Sequence, residues 1–137
     1  MGPITYRKRV YKYQLVRDHV EYTPIKGHTV RHPLFTLDRD GRLWIGYGYA
    51  WDGPSGPTVD TKDFMRGSLV HDAFYQMMRE GLLPLSCKDA VDQLLYTMCR
   101  EDGMNWFRAK YVLRGVQRYG DTSCAPGSSD DEIQTAP

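Results

Sequence analysis

A chain of 137 residues, 41% hydrophobic and 26% charged, has the composition of one ordinary globular domain, with enough apolar side chain for a core that needs no staples. Its formal net charge of +1 supplies no global attraction to nucleic acid, and no apolar run approaches bilayer-spanning length. The three cysteines, Cys87, Cys99 and Cys124, show no CxxC spacing, which argues against a disulfide scaffold or a structural zinc site and implies reduced thiols in an intracellular setting.

The first fifty residues are β-like. Met1–Arg9 carries no apolar run after its basic residues, so no signal peptide is expected. Tyr6–Leu15 is rich in Tyr and Val and predicts a strand; its Tyr-Arg-Lys-Arg-Val-Tyr-Lys-Tyr run resembles an aromatic-basic nucleic-acid strand, but the balanced charge favours a two-faced strand. Val20–Ile25 is a shorter candidate. Leu34–Leu37 and Leu43–Tyr49 flank Asp38-Arg39-Asp40-Gly41, a hairpin signal, and Leu43, Ile45 and Tyr47 alternate with Trp44 and Gly46 as in a half-buried strand. Ala50–Thr58 follows, and its Gly53-Pro54-Ser55-Gly56-Pro57 core forbids helix or central strand.

Three helices are predicted next. The first begins near Asp60 or Thr61 and runs to Glu80 before Gly81, with Leu69, Val70, Ala73, Phe74 and Met77 inward. The second starts at Ser86, whose spacing to Asp89 reads as a capping box, with Val91, Leu94, Leu95 and Met98 as its stripe. The third spans about Asn105–Tyr119, with Trp106, Ala109, Val112, Leu113 and Val116 inward and Arg108, Lys110, Arg114 and Arg118 on the other side, a face that is solvated or meets anionic lipid or a partner protein. The expectation is an α+β fold, a small antiparallel sheet followed by a three-helix half, as one domain over residues 1–120 with an acidic, poorly ordered tail over 121–137.

The chemistry concentrates in Val70-His71-Asp72-Ala73-Phe74-Tyr75. A histidine and an aspartate on a mostly apolar helix cost several kcal/mol to bury unless each has a partner. His71 and Tyr75 are four apart and share a face, whereas Asp72 points about 100° away, so the two polar groups need separate partners. If the first two helices pack antiparallel across the short Gly81–Leu85 link, Asp92 lies opposite His71. A carboxylate on one ring nitrogen orients the imidazole and leaves the other to take a proton from water. Asp72 then faces the Asp52–Gly56 loop, where Asp52 and the carbonyls around Gly53 and Gly56 are hard oxygen donors suited to calcium, which polarises an ester carbonyl. The same residues also make sense as a satisfied polar cluster tying helices to loop, with Asp52 capping its own turn. A metal phosphohydrolase is disfavoured, because His19, His28 and His32 all fall in the β-like half.

Two resemblances attach to these residues. Tyr49-Ala50-Trp51-Asp52-Gly53-Pro54-Ser55-Gly56-Pro57, Val70–Tyr75 and Ala90-Val91-Asp92 together resemble a small phage and prophage family carrying a domain-of-unknown-function label, over roughly residues 30–120. That implies a bacteriophage source and a protein made in the host cytoplasm, with incorporation into the virion as a further expectation. Separately, His-Asp-x-x-Tyr on one helix with Asp on the next is similar to the calcium-dependent secreted and parvovirus-type phospholipases. This second likeness implies His71 as general base, Asp92 orienting it, Tyr75 bonded to Asp92, and calcium on Asp72 with the carbonyls around Gly53 and Gly56. The loop here is one residue longer than the viral Gly-Pro-Gly, and the disulfides and N-terminal helix of the secreted enzymes have no counterpart. Two functions follow: a calcium-dependent hydrolase of an ester, most simply a phospholipid, and a non-enzymatic virion component, in the tail or in head completion, whose partners are phage structural proteins.

Overall fold

The computed structural model describes residues 4–7, 13–51, 61–126 and 133–136, with side chains described except at 4–7, 119–123 and 133–136. The elements run β1 (Ile4–Arg7), β2 (Tyr13–Gln14), β3 (His19–Tyr22), β4 (Val30–Arg31), β5 (Phe35–Leu37), β6 (Arg42–Ile45), β7 (Ala50–Trp51), α1 (Lys62–Arg79), a 3-10 turn (Leu85–Cys87), α2 (Lys88–Glu101), α3 (Trp106–Cys124) and β8 (Ile133–Ala136). Small antiparallel sheets thus precede three helices, the expected α+β arrangement.

The main sheet has strand order β3-β6-β5-β4, all neighbours antiparallel. The β5–β6 hairpin closes where the sequence predicts it: Asp38 N–H donates to the Arg42 carbonyl at 2.9 Å, and Gly41 sits at φ +93°. Gly41 is needed there twice over, because a Cβ would also stand 2.0 Å from the Thr23 carbonyl oxygen. The pleat sends Phe35, Leu37, Leu43 and Ile45 to one face, all fully buried. That face packs on Val70, Phe74, Met77 and Met78 of α1, giving one core shared by sheet and helix. A second cluster, Phe64, Leu95, Cys99, Met104, Ala109 and Val112, forms where the three helices meet.

Helix α1 ends as expected, with Gly81 at φ +73° just past its C-cap. Its approach to α2 is close at Gly67, where a Cβ would lie 2.9 Å from Leu95 Cδ1 and 3.3 Å from Cys99 Sγ. Cys87, Cys99 and Cys124 are buried, and no disulfide joins them.

Several details depart from the sequence reading. Of the expected strand Tyr6–Leu15, residues 8–12 lie outside the described residues; its ends fall in β1, which pairs with β8, and in β2, which pairs with β7. The Ser86–Asp89 capping box does not form. Ser86 lies inside the 3-10 turn, and the N-cap of α2 is Cys87, without a side-chain cap bond; the Cys87 N–H bonds to the Pro84 carbonyl at 3.1 Å, so the turn already satisfies a donor at the helix entry. Helix α3 continues to Cys124, past the end expected near Tyr119, and Cys124 at its last turn is buried in the core. Trp106, expected inward, is 49% exposed, since the inward arc of α3 is centred on Ala109, Val112 and Leu113 and Trp106 stands at its margin.

Candidate functional site

The search for a partner for His71 ends on α2. Arg66 bonds to Glu101 and Asp102, and His71 bonds to Asp92; rising numbers on α1 meet falling numbers on α2, so the helices are antiparallel. His71 Nε2 stands 2.8 Å from Asp92 Oδ1, and the Tyr75 hydroxyl donates to the same oxygen at 2.6 Å. Lys88 Nζ donates to Asp92 Oδ2 at 2.7 Å and reaches the Val116 carbonyl of α3 at 3.4 Å. The rings of His71 and Tyr75 lie with centroids 4.0 Å apart. Asp92 is 0% exposed and His71 6%.

The protonation states follow from this geometry. Burial works against the charge on Asp92, but hydrogen bonds from His71, Lys88 and Tyr75 outweigh it and hold the carboxyl below the usual carboxylate range. Burial is also the largest influence on His71 and lowers its pKa; the Asp92 bond opposes this, and the Lys88 charge adds to it. The consistent state is ionised Asp92, paired with the Lys88 ammonium, beside a neutral His71. A neutral imidazole bonded to a carboxylate carries its proton on that nitrogen. Nε2–H therefore donates to Asp92, and Nδ1 keeps its lone pair. Among the described residues Nδ1 has no hydrogen-bond partner.

Of the residues singled out from sequence, the structure brings His71, Tyr75 and Asp92 together. Asp72 is half-buried at the next position of α1, about 100° around the helix from His71. Asp52, Gly53 and Gly56 lie outside the described residues. Trp51 is the nearest described residue to them, and its Nε1–H donates to Ser68 Oγ at 3.1 Å, three positions before His71 on α1. Among the described residues no three His, Cys, Asp or Glu side chains converge as a metal site would require. Of the residues expected to hold calcium, Asp72 is the one among the described residues.

Lys88 belongs to the cluster and was not singled out from sequence. Its signal was present: Lys88 and Asp92 are i, i+4 on one helix. A groove of about 350 Å³ runs between the β3 edge and α2, lined by Tyr22, Thr23, Arg66, Leu94 and Met98 among others. It lies on the face of α2 opposite Asp92 and does not open onto the dyad.

A second imidazole contact lies at the entry of α2, where His28 Nε2 is 3.5 Å from Cys87 Sγ. Burial pushes the Cys87 thiol up, away from thiolate. The start of α1 is held from α3: Arg108 Nη1 donates to Thr61 Oγ1 at 2.7 Å and to Asp63 Oδ1 at 3.1 Å.

No protein-family model, curated protein or solved structure matches this chain.

Proposed function

We propose that this chain is a phage-encoded ester hydrolase, acting on a phospholipid, in which His71 activates water. The observation that carries the reading is the 2.8 Å bond from His71 Nε2 to Asp92 Oδ1, which supports the Nε2–H tautomer and leaves the Nδ1 lone pair as the base of the proposed reaction. In this scheme Nδ1 removes a proton from water as the oxygen adds to the ester carbonyl carbon. The tetrahedral intermediate then collapses, and the proton on Nδ1 passes to the departing alkoxide. Asp92 stabilises the transient imidazolium, while Tyr75 and Lys88 hold Asp92 in place. The lowered pKa of His71 keeps the base unprotonated at neutral pH. Calcium on Asp72, with Asp52 and the carbonyls around Gly53 and Gly56, belongs to the proposal on the strength of the phospholipase likeness, and supplies oxyanion stabilisation when bound.

A second reading is favoured by one specific observation. Lys88 neutralises Asp92 in a fully buried setting, which suits a polar lock joining α1, α2 and α3 in a non-enzymatic virion component of the tail or of head completion. The test is release of fatty acid from phospholipid vesicles by the purified protein, with and without a calcium chelator, beside His71→Gln. The hydrolase reading expects calcium-dependent turnover in the wild type and a loss of at least a hundredfold in the variant, as for removal of a general base. Equal turnover by the two proteins, or none by the wild type, sinks it. In that case mass spectrometry of purified virions of the encoding phage decides the second reading by presence or absence of the chain.

A further inference from the structure

The outward face of α3 carries a pattern that the dyad does not explain. Phe107 is 81% exposed, Tyr111 57% and Trp106 49%, three aromatics on one and a half turns of a surface helix. Positions 107, 111, 114 and 118 recur at helical spacing on the side opposite the buried Ala109, Val112 and Leu113. Four cations and no acid occur from Trp106 to Arg118. Arg108 is turned inward to Thr61 and Asp63, while Arg114 is exposed. Lys110 lies along the edge of the stripe, with Nζ 4.8 Å from the Tyr96 ring centre and 5.9 Å from that of Trp106, its stem covering apolar surface and its charge at the rim.

We propose that this face of α3 is a docking surface for an anionic lipid bilayer. The partner must satisfy two demands at once. It must accept bulky aromatic groups that this chain leaves in water, and it must carry negative charge to match Lys110 and Arg114, the cations beside those rings. A bilayer with anionic headgroups meets both: aromatic rings settle at the headgroup level while Lys and Arg pair with phosphates. With the whole chain near neutral, the attraction is local to the stripe and is screened by salt. Helix α3 would lie in the plane of the interface, its opposite side still packed on α2, where the Val116 carbonyl meets Lys88 of the His71–Asp92 cluster. The inference stands without any hydrolytic activity.

The experiment is co-sedimentation of the full chain with vesicles of phosphatidylcholine alone and of phosphatidylcholine with phosphatidylglycerol, at low and high salt. The expected result is binding to the anionic vesicles, weakened by salt and reduced about fivefold for each cation removed in Lys110→Gln and Arg114→Gln. The double variant Phe107→Ser/Tyr111→Ser is expected to bind at least tenfold more weakly. All these side chains leave the core untouched, and circular dichroism checks that each variant is folded. His71→Gln should bind vesicles like the wild type, so loss of hydrolysis and loss of docking are read separately. Absence of wild-type binding to anionic vesicles overturns the proposal, as does equal binding by the stripe variants. A dimer in solution that the stripe variants convert to monomer, with vesicles ignored, also overturns it and assigns the face to a second copy of the chain.

Discussion

Helix α1 carries two charge networks five residues apart, one inside the protein and one outside. The inner network is a single carboxylate, Asp92, itself 0% exposed, receiving His71, Tyr75 and Lys88, none of them more than 9% exposed. The outer one inverts that arrangement. A single guanidinium, Arg66, reaches Asp102 through two bonds of 3.0 Å and Glu101 and Glu21 through bonds of 2.9 Å. Both staple α1 to α2, and the outer one also ties α1 to the β3 edge of the sheet. The bond lengths barely differ; the solvent does. In the outer network water replaces any bond that breaks, whereas in the inner one nothing does, so removing a partner leaves a bare charge in the core.

The sharpest test of that contrast is Asp92→Asn. It keeps the shape and removes the charge, leaving the Lys88 ammonium buried without its counter-ion. The expected loss is about 3–5 kcal/mol of unfolding free energy, read from urea midpoints at constant slope. A loss below about 1 kcal/mol, in the range of exposed pairs, would mean that water reaches Lys88 and that the inner network is not dry.

Acid provides the next test. Burial sets the folded pKa of His71 below its unfolded value of about 6.5. Between the two values the unfolded chain holds a proton that the folded chain refuses, so this group makes stability fall as pH drops below about 6.5, by at most about 1.4 kcal/mol per pH unit, and the fall ends below the folded value. Asp92 acts with the same sign at lower pH: its folded pKa is depressed, so its contribution is present above the unfolded value of about 3.9 and is lost as pH falls below it toward the folded value. The groups facing His71 in the cluster are Asp92, Tyr75 and Lys88. His71→Gln should remove the histidine's share of the slope just below pH 6.5. Lys88→Met should shrink it by a different route, because loss of the ammonium lets His71 take a proton and become the counter-ion of Asp92. Unfolding midpoints measured from pH 7 to 5 separate the three proteins; parallel curves would show that His71 is not held neutral by its surroundings.

The inner network was more legible in the sequence than the outer one, for a physical reason. A histidine and a tyrosine four apart on an apolar helix demand a buried partner, and the short link after Gly81 leaves little choice of register, so Asp92 follows from periodicity. Lys88 was as readable by its i, i+4 spacing to Asp92, but residue type alone does not mark a lysine at the start of a helix as buried. Arg66 had no such signal, because its partners come from β3 and the far end of α2, contacts that only the assembled fold brings together. The sheet hairpin was legible through Gly41. The length of α3 was not: Gly115, Gly120 and Ser123 weaken its helical signal, and what carries it to the end is the burial of Cys124 against the distant core.

The outer network supplies the smallest and most informative effect. Arg66→Ala removes four charge-assisted bonds, and counting bonds would rank it with Asp92→Asn. The solvent argument ranks it far lower. Glu101 is 59% exposed and rehydrates, Asp102 and Arg66 are about a quarter exposed, and only Glu21, at 16%, is well shielded. Glu21 also keeps His19, whose Nε2 lies 3.0 Å from the same Oε1. The expected loss is about 1 kcal/mol at low ionic strength, falling further in 1 M salt, where the screening length is about 3 Å. The Asp92→Asn loss should hardly change with salt, because no counter-ion reaches a carboxylate enclosed by three helices. Unfolding both variants in low and high salt therefore compares the regions directly. If Arg66→Ala proves as costly and as salt-insensitive as Asp92→Asn, the Arg66 cluster behaves as a buried site, and accessibility in a static structure understates how dry the β3–α1–α2 seam is.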